Sequence, residues 1–410
     1  MNGERKTPRR RFKEFQNAEA WEQRKIGDVA DIVRGASPRP IQDPKWFDNE
    51  NSEIGWLRIS DVTEQNGRIH FLEQRISKEG QEKTRVLLEP HLLLSIAATV
   101  GKPVINYVKT GVHDGFLIFL NPKFDREYMF QYMEMFRSQW QQFGQPGSQV
   151  NLNSEIVRNA EIYIPTFKEQ QEIGNFFTNL DNLITLHQGK LEKLKALKKA
   201  YLTQMFPAEG ECKPKLRFAG FSDEWERCKL GELVSCIVDN RGKNPKYYCN
   251  EGIPVIDNFM IKNDCYPNLS ESTRFLDEYL FNNFIRKYNE PDDILITLVG
   301  NGIGNITLHP PKRSIIIQNT LGLRFSDNKK FMFYSLLSIN KKIKLLDRGM
   351  AQPSIRQDEL LDICVYLPSD IEQRKISRFF YNMDKLITLH QQKLEKIKNI
   401  KKAYLNEMFI

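Results

Sequence analysis

Residues 164–206 read IPTFKEQQEIGNFFTNLDNLITLHQGKLEKLKALKKAYLTQMF, and residues 367–409 read LPSDIEQRKISRFFYNMDKLITLHQQKLEKIKNIKKAYLNEMF. More than half of the paired positions are identical, and no gap interrupts the match between them. The copies lie roughly 200 residues apart, far beyond the 20–50 residues of solenoid repeats, so the chain duplicates a domain-sized unit. The stretches before the copies are much less alike. We therefore expect the repeated segments to form a common frame, and the divergent stretches to recognise two different things.

Short motifs also mark the start of each half. Arg11-Phe12 and Trp21-Glu22 open the first half, and Arg217-Phe218 and Trp225-Glu226 open the second. Residues 207–214 (PAEGECKP), between the halves, are rich in proline and glycine and lack periodicity, which is typical of a linker.

The composition favours a cytoplasmic protein with more than one core. The 410 residues are 40% hydrophobic, which is enough for two or more buried cores. The apolar stretches are too short to span a bilayer, and the first 15 residues lack the apolar core of a secretory signal. All six cysteines lie from Cys212 onward without a C-x-x-C pair, so we expect neither a disulfide framework nor a zinc site. The net charge of +8 suits a polyanionic partner, but also an ordinary basic protein.

Short β-type runs dominate the region between these motifs. The predicted strands are residues 55–59, 92–96, 104–108 and 116–120 in the first half, and 253–256, 294–299, 314–318 and 321–325 in the second. Each half then has a predicted helix (residues 126–143 and 329–346), a polar loop and a strand that ends at Pro165 or Pro368. Mixed short strands with few helices predict an α+β fold for each half.

The two repeated segments are predicted to be long helices with an apolar stripe. Apolar residues recur at three- and four-residue steps, close to coiled-coil spacing, and lysines occupy the remaining face. Neither helix can bury its stripe alone, so we expect the two to pair; the alternative is that each stripe packs on its own domain. The candidate residues for helix pairing or partner docking are Leu183, His187, Leu191, Leu194, Tyr201, Leu386, His390, Leu394, Ile397 and Tyr404.

Two motifs resemble parts of catalytic sites. Residues 300–304 (GNGIG) follow a predicted strand, as a nucleotide-binding glycine loop does, but the first copy keeps only the last glycine and no βαβ unit follows. We interpret this segment as a tight turn between strands. Residues 244–247 (NPKY) depart at Lys246 from the Asn-Pro-Pro-Tyr motif of amino-methyltransferases, so a loop is the simpler interpretation.

Other chemistry-bearing residues give weaker signals still. His187 and His390 occupy matching positions on the stripes, and no serine or cysteine nucleophile pairs with them. Asp292 and Asp293 are not followed by the Glu-x-Lys of a metal nuclease, and the chain has no Walker A loop. The sequence therefore predicts no catalytic residues and no metal site.

Polar residues recur at matched strand ends and loops of the two copies. Glutamine, asparagine and arginine side chains can pair bidentately with base edges in the major groove of DNA. Each one could instead face solvent or make a turn, so only their collective placement supports DNA binding. The candidate DNA-binding residues are Arg58, Ser60, Asp61, Lys102, His113, Gln149, Asn151, Asn153, Asn258, Asn301, Gln318, Asn319, Gln352 and Arg356.

Taken in order, these motifs resemble the specificity subunit of type I restriction–modification enzymes over nearly the whole chain. The motifs are residues 215–218 (KLRF) with Trp225-Glu226, residues 55–62 (GWLRISDV), the loop 149–153, Ile164-Pro165 with Glu169-Gln170, and Leu367-Pro368 with Glu372-Gln373. The second copy departs from the pattern, because residues 253–257 (IPVID) lack the Arg-Ile-Ser-Asp core of the first.

The resemblance implies two similar target-recognition domains, residues 1–163 and 215–366, joined by two long antiparallel coiled-coil-like helices, residues 164–206 and 367–410, with a pseudo-twofold arrangement. Each domain would read one half of a split target in double-stranded DNA, and the helices would set the spacer and dock two modification (methyltransferase) subunits. The chain itself would bind no cofactor. S-adenosylmethionine would belong to the modification subunits, and ATP and Mg to restriction subunits.

Two other functions stay open on the sequence alone. A self-contained DNA methyltransferase or nuclease would rest on residues 300–304 and 244–247. A helical scaffold protein without any DNA function would rest on the apolar stripes of the two repeated segments.

Overall fold

The computed structural model of the chain resolves into two compact units. It describes residues 5–143, 152–243, 245–348 and 353–410. The first unit comprises residues 1–186 and 394–410, and the second comprises residues 187–393. Two long helices, Phe167–Gln204 and Asp370–Met408, are each divided between the units. Part of each repeated helix therefore packs within each compact unit.

The described residues of the first unit form one five-stranded sheet and two three-stranded sheets. The order of the five strands is Asp31–Arg34, Phe116–Leu120, Leu92–Ser95, Pro103–Asn106 and Arg68–Ile69. The smaller sheets are Arg5–Lys6, Trp21–Lys25 and Glu161–Ile164, and Gly55–Trp56, Thr110–Val112 and Arg85–Leu87. The shorter helices are Ile26–Val29, Ile59–Glu64, Lys78–Gln81, Arg126–Phe136 and Ser154–Asn159, with 3-10 turns at Lys13–Phe15, Pro44–Trp46 and Arg137–Phe143.

The second unit repeats this plan with changes in detail. Its four-stranded sheet has the order Val234–Asp239, Thr320–Phe325, Ile294–Thr297 and Ile306–Leu308. The smaller sheets are Phe275–Leu276, Ile253–Ile256 and Ile315–Ile316, and Glu226–Lys229 with Cys364–Leu367. The shorter helices are Leu230–Leu233, Glu278–Phe284, Lys329–Ser338, Asn340–Lys344 and Gln357–Leu361, with 3-10 turns at Asn258–Met260 and Leu269–Glu271.

The central strands are apolar throughout because they separate two cores. Along Phe116–Leu120, Leu117 and Phe119 belong to one buried cluster, while Phe116 and Ile118 belong to another. Successive side chains of a strand point to opposite faces, so a sheet covered on both faces needs a continuous apolar run. The alternation of clusters explains why these segments are recognisable as strands from sequence.

Several predicted elements end earlier than expected: the strands predicted at residues 92–96, 104–108 and 294–299 stop at Ser95, Asn106 and Thr297, and the helix predicted at residues 126–143 becomes a 3-10 turn after Phe136. The strand predicted at residues 55–59 stops at Trp56, and the helix Ile59–Glu64 follows, because the Asp61 carboxylate accepts the backbone N–H of Arg58 and so caps that helix. The helix predicted at residues 329–346 is broken at Ile339 into two helices.

The opening motifs of each half bind the start of its long helix. Nε and Nη2 of Arg11 donate to the two carboxylate oxygens of Glu169, both at 2.6 Å. In the second unit Arg217 holds Glu372 in the same way, with both distances at 2.8 Å. Glu169 and Glu372 are fully buried, so each ion pair is shielded from solvent and fixes the chain entry onto the helix.

The phenylalanine that ends each repeat completes an aromatic core. Phe409 lies 6.4 Å from Trp21 and 5.6 Å from Phe177, measured between ring centroids, in the first unit. Phe206 lies 5.9 Å from both Trp225 and Phe380 in the second unit. Each domain core therefore includes the end of one long helix and the beginning of the other.

The paired helix halves run antiparallel in each unit. In the second unit Tyr201 meets Phe379 edge to face, with centroids 5.2 Å apart. In the first unit Phe176 meets Tyr404 edge to face at 5.1 Å. Tyr201 and Tyr404 are equivalent positions of the repeat, as are Phe176 and Phe379. The predicted antiparallel pairing is confirmed, and each unit contains the same contact with the two helices exchanged.

Ion pairs follow the same exchange. Nζ of Lys198 lies 2.6 Å from Asp384 in the second unit, and Nζ of Lys401 lies 2.5 Å from Asp181 in the first. All four side chains are largely buried, and the hydroxyl of Tyr334 donates a further hydrogen bond to Asp384 at 2.7 Å. A seam of this kind can be built from two similar helices because, in each unit, a lysine of one helix meets an aspartate of the other.

We expect Glu169→Ala to destabilise the protein by about 3–5 kcal/mol, because it leaves Arg11, whose side chain is 5% exposed, as an unpaired buried cation. Glu172→Ala removes a carboxylate from an exposed position on the same helix turn and should change stability by about 0.5 kcal/mol or less. Urea unfolding of both variants checks this. Equal losses of stability would contradict the role of the ion pair.

Candidate nucleic-acid interface

Arg58 is fixed by a buried carboxylate at the start of a helix. Its Nε and Nη2 atoms donate to the two oxygens of Asp61 at 3.2 and 2.9 Å. Asp61 is 3% exposed and also accepts the backbone N–H of Arg58. The carboxylate therefore orients the guanidinium plane, while the arginine side chain reaches the surface with 37% of its area exposed.

Arg58 and His113 line one open cavity of about 690 Å³ in the first unit. Both residues line it because they follow Gly55–Trp56 and Thr110–Val112, which are paired parallel strands. The carboxyl ends of parallel strands lie at the same edge of a sheet, where ligand-binding loops commonly gather. The cavity is further lined by Ser37, Pro38, Arg39, Pro40, Ile41, Gln42, Trp56, Ile59 and Asp114.

His113 is held as a neutral hydrogen-bond donor in this cavity. Its ring lies between those of Trp56 and Phe116, with centroid distances of 5.8 and 4.8 Å. Nδ1 accepts the backbone N–H of Gly115 at 2.9 Å, so the proton of the neutral ring is on Nε2. Burial lowers the pKa of His113, although the nearby Asp114 carboxylate opposes that shift. At neutral pH the side chain can therefore donate from Nε2 to an acceptor such as a base edge.

Arg274 occupies a comparable position in the second unit, and the sequence did not predict it. Its Nε donates to Asp257 at 3.1 Å, and its Nη2 makes a second contact with the same carboxylate. Nη1 donates to the side-chain oxygen of Gln318 at 3.2 Å and to the hydroxyl of Tyr248 at 3.1 Å. Asp257 and Gln318 follow a parallel strand pair, Ile253–Ile256 with Ile315–Ile316. The sequence offered one signal for Arg274: the second half has no arginine close to Asp257, unlike Arg58 close to Asp61 in the first half. A buried carboxylate needs a partner, so a cation had to come from elsewhere in the chain.

The glycine-rich segment 300–304 is the turn of a β-hairpin. It joins the antiparallel strands Ile294–Thr297 and Ile306–Leu308, and its three glycines have positive φ angles of 83°, 82° and 72°. Asn258 donates from its side chain to the backbone oxygen of Asn301 at 3.0 Å. The predicted tight turn is thus observed, and it brings Asn258 and Asn301 together.

Four other candidates have local partners of their own or lie on the surface. Lys102 pairs with Glu134 at 2.5 Å and is not among the residues that line the cavity of Arg58. The side chain of Asn153 caps the helix Ser154–Asn159. Ser60 and Arg356 are exposed, and Arg356 pairs with Asp358.

The last candidate that the structure describes is Asn319, directly before a strand. Asn319 accepts the backbone N–H of Leu298 with its own backbone oxygen, and its side chain is half-buried. Gln149, Asn151 and Gln352 lie outside the described residues, as does Asn244.

The acidic pair Asp292–Asp293 is engaged in ion pairs. Asp293 is fully buried and pairs with Arg324 at 2.9 Å and Lys329 at 3.0 Å, while Asp292 pairs with Lys330 at 2.7 Å. In the part of the chain that the structure describes, no group of three or more histidine, cysteine, aspartate or glutamate side chains is placed to hold a metal ion. None of the helices in these described ranges has the length and apolarity needed to cross a membrane.

The candidate helix residues separate into a buried set and an exposed set. Leu191 and Leu394 are buried, Leu194 and Ile397 are half-buried, and Tyr201 and Tyr404 make the ring contacts described above. The Nδ1 atoms of His187 and His390 lie 3.0 Å apart, so one ring donates to the other.

Leucines at two pairs of equivalent positions face outward instead. Leu183 and Leu386 are 44% and 47% exposed, and Leu186 and Leu389 are 50% and 44% exposed. At these matched positions each helix presents a pair of apolar side chains, about one turn apart, outside its seam.

The stability of the protein should fall as the pH drops below about 6.5, in part through His113. The pKa of His113 is lowered in the folded state, so in this range the unfolded chain takes up a proton that the folded chain does not. We expect His113→Gln to make stability less dependent on pH between about pH 7.5 and 5. Gln42→Asn, a non-titrating change in the same cavity wall, should keep the wild-type slope in urea unfolding; an unchanged slope for His113→Gln would refute the assignment.

Comparison with known proteins gives a consistent result over most of the chain. A family model described as "Type I restriction modification DNA specificity domain" matches residues 18–196 and again residues 222–399. Two proteins of Methanocaldococcus jannaschii are similar over 95% of this chain and 92% of their own length. One, named "Type I restriction enzyme MjaVIII specificity subunit", is 26% identical, and the "Putative type I restriction enzyme MjaX specificity subunit" is 24% identical.

Solved structures share the fold at lower sequence identity. The type I restriction–modification S subunit from M. genitalium superposes with a TM-score of 0.67 at 15% identity, covering 98% of this chain and 99% of that one. A chain of another type I R-M system gives a TM-score of 0.52 at 16% identity, with 95% and 97% coverage. Because the DNA specificity domain is matched twice, across most of both halves, the chain belongs to the type I restriction–modification specificity family.

Proposed function

We propose that this chain is the DNA-reading subunit of a type I restriction–modification complex and that each unit reads one half of a bipartite target. The observation that carries the proposal is the pair of matched polar clusters, one around Arg58 and His113 and one around Arg274 and Gln318, in otherwise divergent domains. Each cluster lies where two parallel strands end, on a frame that the chain repeats. Two divergent domains carried on one pair of repeated helices suit a DNA target whose two halves differ in sequence.

The chemistry of methylation belongs to partner subunits in this proposal. Methylating a base requires extruding it into a catalytic pocket with its methyl donor. The chain contributes phosphate contacts and groove readout, while modification subunits bind S-adenosylmethionine and methylate adenine, and restriction subunits use ATP and Mg. Such a complex acts on DNA in the cytoplasm.

The outward-facing leucines are the proposed docking points for two modification subunits. Leu183 and Leu186 on one helix repeat as Leu386 and Leu389 on the other. Apolar side chains exposed at matched positions favour an interaction site over chance exposure. Because the set occurs twice, one kind of partner can bind the chain at two equivalent places.

We expect the purified chain, mixed with S-adenosylmethionine and DNA, to transfer no methyl groups, and transfer to begin when its modification subunit is added. The measurement is incorporation of labelled methyl groups into DNA. Methyl transfer by the chain alone would favour a self-contained methyltransferase. A complex that binds DNA without any sequence preference in gel-shift assays would favour a scaffold role.

Lengthening both long helices should lengthen the spacer between the half-sites and leave their sequences unchanged. Inserting seven residues, roughly two turns, after Lys193 and after the equivalent Lys396 adds about 10 Å of helix. At about 3.4 Å per base pair, this corresponds to about three base pairs. Genome-wide mapping of methylated adenines measures both the spacer length and the half-site sequences. The matched control is the same insertion in only one helix, which should abolish assembly because the seam is then misaligned. An altered half-site sequence would contradict a spacer role.

A further inference from the structure

We propose that Arg58 identifies a guanine in the half-site read by the first unit, and that Asp61 is its positioning residue. The inference rests on the proposed function and adds to it one base and the side chain that reads it. The geometry of the guanidinium distinguishes Arg58, since basic side chains are common on DNA-binding surfaces without reading sequence.

The guanidinium of Arg58 is held along one edge and open at its end. Nε and Nη2 both donate to the Asp61 carboxylate, so the plane of the group is fixed side-on. Among the described residues, none accepts a hydrogen bond from Nη1 of Arg58. Glu73 approaches Nη2 only at 3.5 Å and is 76% exposed, so it is free to move aside. The terminal edge, formed by Nη1 and the outer N–H of Nη2, can therefore meet a ligand.

Guanine is the base that matches this edge. In the major groove it presents two acceptors, O6 and N7, at the spacing of two parallel N–H donors. Adenine places a donor beside N7 and cytosine presents a donor, so neither can accept both bonds. A phosphate could also accept two bonds, but it would give no preference among sequences, which separates the two possibilities by experiment.

Arg274 shows that the open end is specific to the first unit. It is held side-on by Asp257 through the same two nitrogens, but its Nη1 already donates to Gln318 and Tyr248. The closed end leaves it without the pair of donors that guanine needs. The two units thus share the pairing of an aspartate with the side of a guanidinium. They differ at the terminal edge of that guanidinium, which would contact DNA.

The test uses the complete complex of this chain with its modification subunits. The half-site of the first unit is found by mapping methylation before and after residues 21–159 are exchanged for those of a related subunit. Each guanine of that half-site is then replaced in turn by 7-deazaguanine, which lacks the N7 acceptor. Binding is measured for wild type, Arg58→Lys and Arg24→Lys, the last being an exposed arginine paired with Glu22 outside the cavity.

We expect 7-deazaguanine at one position to weaken wild-type binding about tenfold, and to have a smaller effect on Arg58→Lys, because the lysine ammonium lacks the planar pair of donors that Asp61 orients. Arg24→Lys should behave as wild type. Arg58→Lys should also accept other bases at that position, with discrimination reduced on the order of 10- to 100-fold.

Three results would overturn the proposal. The first is a half-site without guanine, and the second is a wild-type complex whose DNA binding is insensitive to 7-deazaguanine at every position. The third is an Arg58→Lys complex whose binding weakens equally on all sequences, as loss of a phosphate contact would cause. The second result needs no variant, so it decides the question even if Arg58→Lys fails to fold. A wild-type complex with no sequence preference would instead reject the proposed function itself.

Discussion

The structure depends on the burial of the apolar stripes of two long helices that cannot stay exposed. Each helix half packs with the opposite half of the other helix, and the seam includes the ring pairs Tyr201–Phe379 and Phe176–Tyr404. The terminal phenylalanine of each repeat then enters a domain core beside a buried tryptophan. Because the ring pairs of the seam pack against the same clusters as the terminal phenylalanines, pairing of the helices enlarges the core of each unit.

Buried ionic groups add specificity to this apolar seam. An apolar stripe alone would tolerate a shift of one helix along the other by a turn. Lys198 with Asp384 and Lys401 with Asp181 are largely buried, so a shifted register would leave charges without partners. The ion pairs of Arg11 and Arg217 act differently, because they join the start of each helix to the opening motif of its own half. The register of the seam is therefore restrained by one buried lysine–aspartate pair in each unit.

The frame could be predicted from sequence because its contacts recur at fixed spacings in both copies. Stripe periodicity and the repeated Glu-Gln motif indicated the helices, and the continuous apolar runs indicated central strands. The polar clusters could be predicted only in part. Arg58 stands three residues from its aspartate, within one motif, whereas Arg274 comes from a segment 17 residues from Asp257 and meets it only after folding. The exposure of Leu183 and Leu386 within the stripe likewise depends on the rotation of each helix in the seam.

The two recognition clusters can diverge, while the repeated helices cannot, because of where the partners of their side chains lie. A seam residue such as Lys198 meets Asp384, and its equivalent Lys401 meets Asp181, so a change in one copy must fit a partner that resides in the other copy. A recognition cluster has no such constraint: Arg58 and Arg274 satisfy the same kind of carboxylate from different chain positions, wholly within their own units. Sequence changes are therefore easily accommodated around Arg58 and Arg274, whereas in the repeated helices a change in one copy must fit the other copy. A chain organised in this way can change one half of its target while retaining the geometry that joins the halves.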